Sequence, residues 1–145
     1  LEFDHIIISP EGKRYIGETE GKDTSAINID KFRQLAVNIQ EDLERDEINE
    51  PALGILFGNG FRLANPSNRE EQFSLKCLTT AKSLNYRLIR TTDLFVVAKY
   101  LNENKHDISF AKACRDAITS SAGKIVMFPD IPKTEGKRES ESETK

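Results

Sequence analysis

Carboxylates and a lysine alternate along the stretch Gly17-Glu18-Thr19-Glu20-Gly21-Lys22-Asp23. Side chains two positions apart lie on the same face of a β-strand, so Glu18, Glu20 and Lys22 point in one direction. The residues of the opposite face offer little apolar surface to a core; they are Tyr15, Gly17, Thr19 and Gly21. We therefore interpret this strand as part of a functional site rather than as a packing element.

A tight turn joins this strand to an earlier one. Strands are predicted at 3–8 and 14–20, with a short polar segment between them. Pro10 suits the first central position of a turn, and Gly12 suits the left-handed conformation that follows. Together they predict a three-residue hairpin loop, Pro10 to Gly12, with a bulge at Gly12.

The register of this hairpin determines which charged side chains meet. With a three-residue loop, Ser9 faces Lys13, and Asp4 lies opposite Glu18 and diagonal to Glu20. A two-residue loop would instead move Asp4 to the opposite face of the sheet. The turn residues favour the first register, in which three carboxylates share one face.

Helices and short strands alternate along the rest of the chain. Further strands are predicted at 52–57, 86–90 and 125–128. Four helices are predicted. The first spans 28–46, and the last runs from Asp107 or Ser109 to Ala122. Between them, one helix begins at a capping box at 68–71 and another is capped by Thr92. The order ββαβαβααβ indicates an α/β fold whose later strands are parallel and covered by helices.

Apolar residues at helical spacing predict the buried faces of two helices. In the first helix these residues are Phe32, Leu35, Ala36, Ile39 and Leu43. In the helix after Thr92 they are Phe95, Ala98 and Leu101. Cys77 and Cys114 also lie in helical apolar patterns, so we expect two buried thiols rather than a disulfide or a metal-binding pair.

Three carboxylates on neighbouring strands repel one another. At a separation of about 5 Å and an effective dielectric constant near 20, each pair costs on the order of 3 kcal/mol. A folded protein tolerates this cost when a cation lies between the carboxylates or when they take up protons. Carboxylate oxygens favour Mg²⁺ or a similar hard ion, which keeps several waters and bridges to a phosphate. Lys22 on the same face could stabilise the charge that develops on phosphorus, so this face indicates phosphodiester cleavage.

Asp4, the hairpin turn, Glu20-Gly21-Lys22 and the helix that follows resemble the PD-(D/E)XK superfamily of restriction-endonuclease-like nucleases. The resemblance covers about residues 1–60. It implies a restriction-endonuclease-like mixed sheet, with an N-terminal hairpin and then parallel strands, flanked by helices. It also implies that Asp4 and Glu20 are ligands of Mg²⁺ or Mn²⁺ and that Lys22 is the catalytic lysine.

The resemblance leaves a second interpretation of the motif open. Some members replace the lysine with glutamate, and Asp4, Glu18 and Glu20 would then be the acidic metal ligands, with Lys22 peripheral. The exonuclease branch carries a glutamine on the following helix, and Gln34 occupies that position, although it lies roughly opposite the predicted apolar stripe.

The family core begins with a helix and a strand before its aspartate, whereas only three residues precede Asp4. We therefore expect a nuclease-like domain at 1–128 that lacks this first helix and strand, as a fragment of a longer protein or a diverged core. Residues 129–145 hold almost no apolar side chains and are predicted to be a disordered tail.

The charge balance limits the mode of nucleic-acid binding. A formal net charge of -3 counts against a large non-specific DNA footprint but allows a local basic site. Arg62 and Arg69, in and after a loop rich in glycine and asparagine, are candidate ligands for DNA phosphates.

Other site and compartment classes have little support in the sequence. With two histidines, a zinc site is not expected. No apolar run approaches the roughly 20 residues of a membrane span, and no signal peptide is recognisable. We therefore expect a cytoplasmic protein without membrane contact.

These patterns predict a metal-dependent nuclease that hydrolyses DNA phosphodiester bonds, with RNA as the alternative substrate. The alternative function is a catalytically inactive nuclease-like module that binds nucleic acid or a protein partner. A hairpin face of salt bridges without function is a further explanation, because exposed ion pairs are common and contribute little stability. The remaining candidate partners are a second copy of the chain and other domains of a longer chain.

Overall fold

Four strands and four α-helices make up the part of the chain that the structure, a computed structural model, describes, residues 3–133. The strands are β1 (His5–Ile8), β2 (Arg14–Gly21), β3 (Leu53–Asn59) and β4 (Arg87–Arg90). The helices are α1 (Phe32–Leu43), α2 (Leu75–Leu84), α3 (Thr91–Glu103) and α4 (Ile108–Ser120). Most of the predicted tail at 129–145 lies outside the described residues, and 129–133 have no regular secondary structure.

The strands form one mixed sheet in the order β1-β2-β3-β4. β1 and β2 are antiparallel, whereas β2–β3 and β3–β4 are parallel, which confirms the predicted α/β architecture of a hairpin followed by parallel strands. The predicted strand at 125–128 is reduced to one bridge between Leu88 and Ile125. At this bridge the Leu88 N–H donates to the Lys124 carbonyl at 3.1 Å, and the Val126 N–H donates to the Leu88 carbonyl at 2.8 Å.

The hairpin has the predicted loop and register. Gly12 has a φ of +82°, and its N–H donates to the Ser9 carbonyl at 2.9 Å. The Ser9 N–H donates to the Lys13 carbonyl at 2.9 Å, which closes the three-residue loop. Because His5 pairs with Gly17, Asp4 just before β1 falls opposite Glu18.

Helices pack on both faces of the sheet. Alternate strand residues build a core with α1 and α2 on one face, among them Ile16, Leu56 and Leu88. On the other face a second core packs against α3 and α4; its strand residues include Tyr15, Ile55 and Ile89. The expectation that this second face of β2 offers little apolar surface to a core is only partly right: Thr19 and Gly21 are exposed, but Tyr15 is buried and the Phe57 ring covers Gly17, where a Cβ atom would lie 2.8 Å from that ring.

Helix α1 buries a face that is only partly the predicted one. Phe32 and Leu35 are buried as predicted and Ile39 and Leu43 are half-buried, whereas Ala36 is exposed and the polar Asn38 and Asp42 are buried in addition. The helix turns the two polar residues toward the sheet because both have partners on β2. Asp42 pairs with Arg14, and Asn38 pairs with Glu18.

The predicted capping box at 68–71 does not start a helix. α2 begins after Ser74, whose hydroxyl oxygen accepts a hydrogen bond from the Cys77 N–H at 3.1 Å. The preceding residues instead pair with Ile27, which donates to the Gln72 carbonyl at 2.8 Å and accepts from the Ser74 N–H at 2.9 Å.

The start and the buried face of α3 also differ from the prediction. Thr92 does not cap the helix; its hydroxyl oxygen accepts a hydrogen bond from the Gln72 side-chain amide at 3.1 Å. Phe95 is 70% exposed, whereas Val97 is buried. The predicted start of α4 is confirmed at Asp107, and both cysteines are buried free thiols, as expected.

A buried ion pair fixes α1 against the start of β2. The Arg14 guanidinium donates to both oxygens of the fully buried Asp42 carboxylate, at 3.0 and 2.6 Å. Arg14 accordingly holds the pKa of Asp42 below its usual value. Removing the arginine would leave a charge in the core without its main partner.

We therefore expect Arg14→Met to lower the free energy of unfolding by about 3 kcal/mol, because Asp42 would remain buried without its main counter-charge. The matched control is Arg115→Met, which breaks a surface pair with Glu11 and should cost less than about 1 kcal/mol. Urea denaturation at pH 7 measures both values. Equal losses in the two variants would contradict this role of Asp42.

Candidate active site

Two buried glutamates lie on the face of β2 that helices α1 and α2 cover. Glu18 and Glu20 follow Ile16 on the same face of the strand and are 2% and 8% exposed. Burial disfavours the charged form of a carboxyl group, so each glutamate needs a partner, a proton or a cation. The charged face predicted from the sequence is therefore a buried face and not a solvated one.

Asp4 and Glu18 form a carboxyl pair. The Asp4 carboxylate accepts a hydrogen bond from the Thr19 N–H at 3.0 Å and lies within hydrogen-bonding reach of the Glu18 carboxyl group. Burial, followed by the contact with Asp4, raises the pKa of Glu18 to about 7. The Thr19 N–H is the main cause that lowers the pKa of Asp4. At pH 7 the carboxyl group of Glu18 is thus about half protonated, whereas Asp4 is ionised.

Helix α1 contributes two amides to this pair. The Asn38 amide donates to Glu18 Oε1 at 2.6 Å and accepts from the Gln34 amide at 2.7 Å. Asn38 is 1% exposed, so it is committed to this contact. The rotation of α1 therefore brings Gln34 next to the site, although the predicted stripe placed it on the far side. Sequence analysis missed Asn38; the signal was its four-residue spacing from Gln34.

Glu20 belongs to a second cluster. Lys22 Nζ lies 3.4 Å from Glu20 Oε1 and 3.4 Å from Asp30 Oδ2. Burial and then the charge of Asp30 raise the pKa of Glu20, and Asp30 and Glu20 raise that of Lys22. Glu20 Oε2 is buried and has no hydrogen-bond partner among residues 3–133. Sequence analysis missed Asp30, the acidic residue two positions before α1.

The structure divides the predicted acidic residues between these two clusters. Asp4 meets Glu18 rather than Glu20, and Lys22 sits beyond Glu20 at the end of β2. Within residues 3–133, no three acidic, histidine or cysteine side chains are grouped closely enough to hold a metal ion. The contact between Asp4 and Glu18 favours the motif interpretation that includes Glu18 and treats Lys22 as peripheral.

The two candidate phosphate ligands, Arg62 and Arg69, differ in how many hydrogen bonds their guanidinium groups already make within the protein. The Arg62 side chain is half exposed; it pairs with Asp23 and lies against Gly21. The Arg69 guanidinium donates to Asn59 Oδ1 and to three loop carbonyls, those of Gly60, Arg62 and Ala64. Arg69 therefore holds the loop after β3 in place, and Arg62 is the more available of the two cations.

The side chains present fit a hard divalent cation. All the candidate ligands are carboxylate oxygens, which suit Mg²⁺ or Mn²⁺. Glu20 Oε2 has no hydrogen-bond partner among residues 3–133, and burial and the contact with Asp4 raise the pKa of Glu18, so both glutamates have capacity to accept positive charge. Mg²⁺ needs only one or two protein carboxylates when waters and a substrate phosphate complete its shell, so the Asp4–Glu18 pair suffices.

Comparisons with known proteins identify no relative, so the function must be inferred from the chemistry of the site. No family model matches the chain, and no curated protein or solved structure is significantly similar to it. Among residues 3–133, each helix is too short or too polar to span a lipid bilayer.

The raised pKa of Glu18 predicts a pH-dependent stability. The folded state holds a proton on Glu18 up to about pH 7, whereas the ordinary pKa is 4.5, so wild-type stability decreases as pH rises through this interval. Glu18→Gln removes this loss and should be more stable than wild type at pH 8 by at most roughly 3 kcal/mol. At pH 4.5 most of this advantage should vanish.

Urea denaturation in EDTA at both pH values measures the difference. The matched control is Glu70→Gln, which changes an exposed glutamate and should follow the wild-type pH dependence. A Glu18→Gln variant whose stability falls with pH as steeply as that of wild type would show that Glu18 ionises normally.

Proposed function

We propose that this protein hydrolyses phosphodiester bonds in DNA with the help of a divalent cation. The observation that carries the proposal is the buried, unpartnered Glu20 Oε2 on the same strand face as the Asp4–Glu18 pair. A core with no function would place apolar side chains here, because unpaired buried carboxyl oxygens destabilise a fold. The hairpin and the parallel sheet agree with the restriction-endonuclease-like fold that the sequence resembles.

Asp4 and Glu18 would hold Mg²⁺ or Mn²⁺. A cation at this pair would replace the proton that otherwise lies on Glu18, which relieves the repulsion between the two carboxylates. Asn38 keeps Glu18 Oε1 oriented, and the Thr19 N–H keeps Asp4 ionised. When bound, the ion supplies positive charge that polarises the substrate phosphate.

The remaining chemistry falls to the second cluster. Glu20 Oε2 is buried and unpartnered, so a water molecule that reaches it can donate a hydrogen bond to it and then give up its proton, while Oε1 stays paired with Lys22. Its raised pKa makes Glu20 a stronger base than an exposed glutamate. The water oxygen bonds to phosphorus, the ester P–O bond breaks, and the leaving oxygen takes a proton from solvent.

Arg62 is the residue that we assign to the DNA backbone. It lies beside the end of β2, next to Gly21, and its guanidinium can contact a phosphate by releasing Asp23. Arg69 holds the backbone of Arg62 in place, since its Nη2 donates to the Arg62 carbonyl at 3.3 Å. The net charge of -3 is consistent with few phosphate contacts and a cation-dependent site.

A binding module without catalysis is the second candidate function. The observation in its favour is that no group of three potential metal ligands is assembled within residues 3–133. In that case the nuclease-like fold binds nucleic acid or a protein, and its affinity depends neither on Mg²⁺ nor on Glu20.

The nuclease proposal predicts Mg²⁺- or Mn²⁺-dependent cleavage of plasmid DNA by the purified chain. Glu20→Gln should reduce the rate at least about 100-fold, because the base is lost while the side-chain shape is kept. Glu70→Gln, on the exposed surface, should cleave at the wild-type rate. Agarose-gel assays in metal and in EDTA measure these rates.

Equal cleavage by wild type and Glu20→Gln would refute the assignment of Glu20. A folded wild-type chain that cleaves neither DNA nor RNA in either metal would refute the nuclease proposal. DNA binding that persists without cleavage, in EDTA and in Glu20→Gln, would select the binding module.

A further inference from the structure

Lys22 is poorly placed to serve the Asp4–Glu18 pair. Its ammonium group lies between Glu20 and Asp30, at 3.4 Å from an oxygen of each. Two carboxylates therefore already neutralise it. A phosphate held at the Asp4–Glu18 pair would need its positive contact from another residue.

Helix α1 places Lys31 on the side of the helix that faces β2. Lys31 is the residue before the first turn, and Leu35 and Asn38 follow it at four and seven positions. Residues at this spacing lie along one stripe of a helix. Leu35 and Asn38 are both fully buried against the sheet, and Asn38 contacts Glu18. Lys31 therefore lies on the same face of the helix as the residue that binds Glu18.

The surroundings of Lys31 differ from those of Lys22. Lys31 is partly exposed, and among residues 3–133 it makes no ion pair with a carboxylate. Its charge adds to the effect of the Thr19 N–H, which lowers the pKa of Asp4, and it partly opposes the burial and the Asp4 contact that raise the pKa of Glu18. Lys22 acts instead on Glu20.

We propose that Lys31, rather than Lys22, is the lysine that binds the substrate phosphate at the Asp4–Glu18 pair. This inference rests on the proposed function. An ammonium group at the start of α1 adds its charge to the positive end of the helix dipole, and both favour an anion at this position. The phosphate would then contact Lys31, while Asp4 and Glu18 would hold the cation.

The test compares three lysine-to-methionine variants, which keep the length of the side chain and remove its charge. Lys31→Met should reduce DNA cleavage at least about 100-fold and lower the slope of log affinity against log salt by about one. Lys22→Met should leave the salt slope unchanged, because Glu20 and Asp30 already neutralise the Lys22 ammonium group. Lys82→Met, on the exposed face of α2, should leave both quantities unchanged.

DNA affinity is measured by fluorescence anisotropy of a labelled duplex in Ca²⁺ over a range of salt, and folding is verified by circular dichroism. Lys31→Arg should restore the wild-type salt slope, because the positive charge returns. A Lys31→Met variant that matches Lys82→Met in rate and salt slope, while Glu20→Gln is inactive, overturns the Lys31 inference and leaves the nuclease proposal standing. A reduced salt slope in Lys31→Met, with no cleavage by wild type, supports the phosphate contact and refutes the nuclease proposal.

Discussion

The burial of two glutamates on one face of β2 is the constraint on which the arrangement of the site depends. Glu18 and Glu20 lie on the sheet face that α1 and α2 cover, where apolar residues would pack at no electrostatic cost. Their burial is tolerated because Asn38, Asp4 and a proton stabilise Glu18, and because Lys22 neutralises part of the charge on Glu20. One oxygen of Glu20 stays without a partner among the described residues, and that oxygen carries the functional assignment.

The same constraint explains how α1 sits on the sheet. The helix is attached at two points along β2, with Asp42 on Arg14 at the start of the strand and Asn38 on Glu18 further along. Both contacts use polar side chains on the buried stripe, so the helix cannot rotate without leaving a charge unpaired. This orientation also brings the start of α1 toward the end of the strand that carries the carboxylates.

The sequence allowed the hairpin to be predicted well because local turn chemistry fixes it. Pro10 and Gly12 determine the loop, and the loop places Asp4 opposite Glu18. The face of α1 could not be predicted from hydropathy, because a helix stripe that contains Asn38 and Asp42 resembles a solvent face until their partners on the strand are known. The ion pair between Asp30 and Lys22 could not be predicted for the same reason, because the hydropathy pattern does not show which distant residues become partners in the fold.

The central claim is that the carboxyl pair of the exposed Asp4 and the buried Glu18 binds a divalent cation in place of a proton. Isothermal titration calorimetry of the metal-free chain with Mn²⁺ at pH 7, in two buffers of different ionisation enthalpy, tests it most directly. Because the pKa of Glu18 is about 7, we predict release of roughly half a proton per ion bound, and less release in Glu18→Gln. Absence of binding at millimolar Mn²⁺, or binding with equal proton release in both proteins, would contradict the claim.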